Sequence, residues 1–147
     1  MAVILLIKYI CMMYLLFLSF KAIDGICDSI HLLHYNRMIQ LGTKDFLYAI
    51  HMCSMIGCEL FGQYCIATTD MTLSDMVDVG SLKIIIWVFV MVVVLYALPR
   101  VVSDLINATG KILDKDDKYA RKICTAILCI TLILIPFSIP LLSYGMF

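Results

Sequence analysis

The chain has 147 residues, 63% of them hydrophobic and 15% charged, with eleven basic and eleven acidic side chains and a formal net charge of zero. Soluble domains run at about 45–50% apolar and about 25% charged, and a small one has too much surface to leave this much apolar, so the composition excludes an ordinary soluble domain and points to a membrane protein. The length allows a single domain, residues 1–147, and a neutral chain lacks the basic face that nucleic acid requires.

The first apolar run is AVILLIKYICMMYLLFLSF, Ala2 to Phe20, broken only by Lys8. It approaches the twenty residues needed to cross a hydrocarbon core, and Lys8 has the length to snorkel or to face another helix. A signal peptide would carry its basic residue ahead of the apolar region and a small-x-small cleavage site after it. Phe20-Lys21-Ala22 offers no such site, so the segment reads as a retained span.

Next comes CDSIHLLHYNRM, in which Cys27, His31, His34 and Met38 fall on one helical stripe. Cys27, His31 and His34 could supply three ligands to zinc. A site on one helix needs a further donor held by surrounding structure, and haem between helices needs facing histidines. The stripe is therefore expected to be the headgroup edge of a juxtamembrane amphipathic helix lying along the membrane surface after span one.

The second span, FLYAIHMCSMIGCELFGQYCIA, runs from Phe46 to Ala67 and contains His51, Glu59 and Gln63. Helices in lipid associate through small residues that allow close approach. Ala49, Cys53 and Gly57 form one such row, and Ser54, Cys58 and Gly62 form the adjoining one, together an expected helix-packing interface. Ionisable residues inside a membrane are costly and mark functional sites, so His51, Glu59 and Gln63 form a candidate intramembrane polar site. His51 and Glu59 are about 12 Å apart along the axis, and Glu59 is expected toward the outer end. The seven cysteines are scattered through apolar segments, unlike a secreted disulfide framework. Only Cys58 and Cys65 are close enough to a helix end for one disulfide to be considered.

Span three, SLKIIIWVFVMVVVLYAL, covers Ser81 to Leu98. Beyond it, Ser103 to Lys122 is polar and alternates in charge. Ser103-Asp104 offers a helix cap and Gly110 a break between two short helices. Asp114, Asp116 and Asp117 offset Lys111, Lys115, Lys118, Arg121 and Lys122, which argues against a strong lipid-binding patch there. Asn107-Ala-Thr matches a glycosylation sequon but falls on the inner side of the expected topology. The last span occupies residues 123–145, and Pro136 and Pro140 should kink it or end it early.

Charge placement decides the number of spans. No Lys or Arg lies between Asp45 and Leu82, whereas Lys21, Arg37 and Lys44 follow span one and six basic residues follow span three. With four spans (2–20, 46–67, 81–98 and 123–145), basic loops 21–45 and 99–122 share the cytoplasmic side. The acidic loop 68–80 and both termini face out, as the positive-inside rule requires. The expected fold is an all-α, four-transmembrane-helix antiparallel bundle.

There is no phosphate-binding glycine loop, H-E-x-x-H or CxxC to suggest an enzyme or a resident cofactor. The sequence points to a non-catalytic subunit or anchor of a larger membrane complex (secretion, conjugation or respiratory machinery, or a membrane-toxin immunity partner). Its expected partners are other membrane subunits and the bilayer. Two other readings are a small oligomeric channel or transporter using His51 and Glu59, and a metal or haem protein using Cys27, His31 and His34.

Overall fold

A computed structural model describes residues 1–70, 81–112 and 118–146. Among these residues the chain is almost wholly helical and has no strand. Helix α1 runs unbroken over Ala2–Tyr35 and α2 over Leu41–Thr68. Helix α3, Ser81–Val92, leads through a π-helical turn, Val93–Ala97, into α4, Leu98–Ile112. Helix α5, Lys118–Leu134, and α6, Ser138–Met146, complete the chain.

Three units are long and apolar enough to cross a membrane: α1, the α3–α4 rod over Leu82–Lys111, and the α5–α6 pair if its bent halves form one span. The protein is thus an all-helical membrane protein with two or three such spans by length and composition. Helix α2 is not among them, and the reason lies in where its polar residues point, as shown below.

Side-chain contacts give the directions of the helices. Between α1 and α2 the pairs are Lys8 with Ala67, Met12 with Gln63, Ser19 with Glu59, Cys27 with Tyr48 and His31 with Lys44, an antiparallel match along most of α1. Between α1 and the α3–α4 rod they are Tyr14 with Val88, Gly25 with Pro99, Ser29 with Ser103 and Asn36 with Asn107, a parallel match.

The buried positions of α1 (Leu15, Leu18, Ala22, Ile26, Ile30 and Leu33) recur at three- and four-residue intervals, and one stripe faces the core throughout. On the rod the stripe is Trp87, Met91, Leu95, Val102 and Ile106, joined by Met55 and Ile66 of α2, Leu132 of α5 and Ile139 of α6.

Three expectations are corrected. No separate surface helix follows span one, because the core stripe of α1 passes through Lys21 without interruption and continues to Leu33. Within that helix a Cβ at Gly25 would lie 2.8 Å from Pro99 Cβ, so the glycine admits the Pro99 ring of α4. Likewise Ser103-Asp104 caps nothing, and Gly110 is no break: both lie within α4. A Cβ at Gly110 would meet Asn36 Oδ1 at 2.6 Å, which makes this glycine a second point of close approach.

Both proline expectations concern local backbone chemistry. Pro99 lacks an N–H and its ring would clash with the carbonyl one turn earlier. The π turn ahead of it, with Leu98 N–H bonded to Val93 O, absorbs the mismatch. At Pro136 the chain forms a turn, Ile135–Phe137, and the two halves meet at 46°. Pro140 falls in the first turn of α6, where a missing N–H costs little.

Candidate functional site

The outward side of α2 carries Phe46, Met52, Ile56, Leu60, Phe61 and Tyr64, all exposed, while its polar residues turn inward. This is the arrangement expected of a helix in lipid, where the bundle interior satisfies polar groups, and it lowers the average hydropathy without making the outer surface polar.

Glu59 accepts a short hydrogen bond from Ser19 Oγ of α1 and a second, of 2.6 Å, from Gln63 Nε2 one turn on. The same Gln63 amide donates to Met12 O at 2.9 Å, so the three side chains stitch α2 to α1. Glu59 and Ser19 also border a crevice of about 190 Å³ between the two helices, lined otherwise by apolar side chains such as Leu16, Ile56 and Leu60. Glu59 therefore lies at the depth of Ser19, two residues from Lys21. Farther along the same pair of helices, Lys8 Nζ donates to Ala67 O, a cation at the C-terminus of α2.

His51 is 3% exposed, and neither ring nitrogen has a hydrogen-bond partner among the described residues. Met55 is buried between it and Glu59, so the two ionisable groups are close to one face of α2 without meeting.

The two small-residue rows part company. Cys58 and Gly62 are buried and Ser54 half-buried, and at Gly62 a Cβ would lie 2.7 Å from Ile139 Cγ2 and 2.9 Å from Leu15 Cδ2. Helices α1, α2 and α6 thus converge on Gly62. Ala49, Cys53 and Gly57 are exposed, and among the described residues nothing beyond α2 itself lies within 4 Å of a Cβ at Gly57. Close by, Trp87 Nε1 donates to Ser143 Oγ at 3.3 Å and packs against the Tyr14 ring at a tilt. Neither contact is readable from helical spacing alone.

The Cys27 stripe does not gather. His34 Nδ1 lies 3.4 Å from Ile39 O, and His31 Nδ1 lies 3.5 Å from Lys44 Nζ. Among the described residues no three His, Cys, Asp or Glu side chains converge on a point. All seven cysteines are free. Cys58 and Cys65 are both on α2, about 10 Å apart along its axis, beyond the reach of a disulfide; that expectation is withdrawn.

A second polar region was not legible in the sequence. Lys21, Asp24 and Asp28 of α1 face Arg100 and Asp104 of α4 across a cleft of about 530 Å³. All five are exposed, and Arg100 lies over the Tyr96 ring, 4.4 Å from its centre. Beneath them Ser29 Oγ lies 2.7 Å from Ser103 Oγ and 3.2 Å from Pro99 O, locking the α1–α4 crossing. Pairs of helices seventy residues apart build this cleft; only the parallel offset of α1 and the rod reveals it.

Comparison of the chain with protein-family models, with characterised proteins and with solved structures finds no match.

Proposed function

We propose that the chain is a four-span membrane protein and a non-catalytic subunit or anchor of a larger membrane complex. Two spans that run parallel, α1 and α3, require the chain to return across the bilayer between them. Helix α2 is antiparallel to α1 and has an apolar outer side, which supports its being that return. Arg37, between α1 and α2, and Lys118, Arg121 and Lys122 at the start of α5 gather at one end of the bundle, which by the positive-inside rule faces the cytoplasm. Both termini then face out.

The observation that carries the subunit reading is the one-sided charged cleft. Tyr48 bonds to Cys27 O and Glu59 to Ser19, which places exposed Met52 and Ile56 of α2 between them, at the depth of Lys21 to Asp28. At that depth one side of the bundle is apolar and the other presents five charges. Charges facing lipid are costly, whereas a polar surface on a partner subunit would satisfy them. The protein should run on a native gel of mild-detergent extract as a complex with a stoichiometric partner. The double charge reversal Arg100→Glu with Asp104→Lys should release it. Migration as a monomer in both cases overturns the reading.

A second reading has one specific observation behind it: the Ser19–Glu59–Gln63 network bordering a crevice that is otherwise apolar. If Glu59 carries protons or ions, liposomes bearing the protein conduct and Glu59→Gln abolishes the flux; equal flux from both removes this reading.

A further inference from the structure

At the basic end of the bundle, where the α1–α2 connection meets the start of α5, lies a cavity of about 470 Å³. Arg37, Lys118, Arg121 and Lys122 line it, and no acidic side chain does so among the described residues. The sequence reading set the α5 cations against Asp114, Asp116 and Asp117, which lie outside the described residues. The fold adds to the α5 cations one from a different segment, Arg37.

Arg37 has φ +58°, the only described non-glycine residue in the left-handed region. Its N–H bonds to His34 O and the N–H of Met38 to Leu33 O, the bonding of a Schellman helix end. The position after the cap in that motif is normally glycine, because a side chain there is strained. Here the strained site carries an arginine beside three other cations. Arg121 anchors the same corner by donating to Asn36 O.

Four like charges in one cavity repel unless an anion joins them. The first turn of α5 itself contains no acidic residue, and the positive end of its helix dipole points at the same cavity mouth. The floor is different. Ile39 and Cys129 are half-buried and Ala126 lies beside them, so the cavity runs from a cationic mouth to an apolar wall. A free anion needs only the mouth; an amphiphile uses both.

We infer that this cavity is a binding site for the phosphate headgroup of an anionic membrane lipid, with the acyl chain following the apolar wall between α2 and α5. Basic pockets between membrane helices on the cytoplasmic side are suited to such headgroups. The site is independent of the subunit reading, because its occupant is the bilayer and not a partner protein.

The test uses the full chain in neutral detergent, with phosphatidylglycerol, phosphatidylcholine or inorganic phosphate added, followed by thermal unfolding and by native mass spectrometry. Phosphatidylglycerol should raise the midpoint saturably and stay bound at one lipid per chain, and the other two should not. Arg37→Gly keeps the turn, since glycine prefers that φ, so its midpoint without lipid should hold or rise. Its apparent affinity for phosphatidylglycerol should fall about fivefold, the factor corresponding to one cation near an anionic surface. Lys122→Gln should lose a similar factor, and Arg100→Gln in the other cleft should lose none. Equal effects of the two lipids, full binding by Arg37→Gly, or an equal loss in Arg100→Gln would each overturn the assignment. A response to inorganic phosphate matching that to phosphatidylglycerol would make the site one for free phosphate and overturn the lipid.

Discussion

Gly57 and Gly62 lie on the same helix, five residues apart, and meet opposite surroundings. An added methyl at Gly62 runs into Ile139 and Leu15, both buried and unable to step aside. Gly62→Ala should therefore cost about 1–3 kcal/mol through overpacking. Gly57→Ala meets no neighbour among the described residues and removes a flexible residue from a helix interior, a gain of up to about 1 kcal/mol. Thermal unfolding of the two variants in detergent, followed by circular dichroism, should move in opposite directions; equal losses would place the α2–α6 contact elsewhere. His51 poses a different question, because it is buried with both ring nitrogens unpartnered among the described residues. An unsatisfied buried polar group costs about 1–3 kcal/mol. His51→Leu should consequently leave stability unchanged or raise it in the same assay. A clear loss would mean that the ring makes a stabilising contact with something other than the described residues.

At the scale of elements, the pairing of Pro99 with the π turn before it governs how α4 meets α1. Pro99→Ala restores the missing donor and removes the clash, so Val93–Ala97 should relax to an ordinary α-helix. Losing the one-residue bulge turns everything beyond it by about 100°, which carries Ser103 away from Ser29. Ser29→Cys with Ser103→Cys should oxidise to a mapped disulfide in the Pro99 chain and fail to do so with Pro99→Ala; oxidation in both would show that the crossing does not depend on the bulge. The membrane-length apolar helices, α1 and the α3–α4 rod, were legible because their apolar runs are long, and the break at Pro136 because proline acts locally. The continuation of α1 through Lys21, Asp24 and Asp28 was obscured by composition. Those charges sit on the cleft side, while Ala22, Ile26 and Leu33 keep the core stripe, so periodicity held the signal that average polarity hid. Gly110 read as a breaker because a sequence does not show which glycine faces a neighbouring helix. The cleft and the basic cavity were illegible for a related reason: each joins segments about seventy or more residues apart.

For the whole molecule, the decisive question is whether α2 crosses the bilayer. Its apolar run is diluted by His51, Glu59 and Gln63, and by composition alone it falls outside the membrane-crossing set. Yet lipid senses only the outer surface, which between Phe46 and Tyr64 is apolar. The helix has 28 residues, a length of about 42 Å against a hydrocarbon core of about 30 Å. Gln40 and Asp70 flank it, both exposed. In vesicles of known orientation, with the exposed Cys53 replaced by serine, a membrane-impermeant maleimide should label Gln40→Cys from the cytoplasmic side only and Asp70→Cys from the opposite side only. Labelling of both from one side would leave α1 and α3 unable to cross in the same direction, and the parallel packing of Ser29 against Ser103 would then have to form without two full spans. The labelling pattern tests the packing and the topology together, because each requires the other.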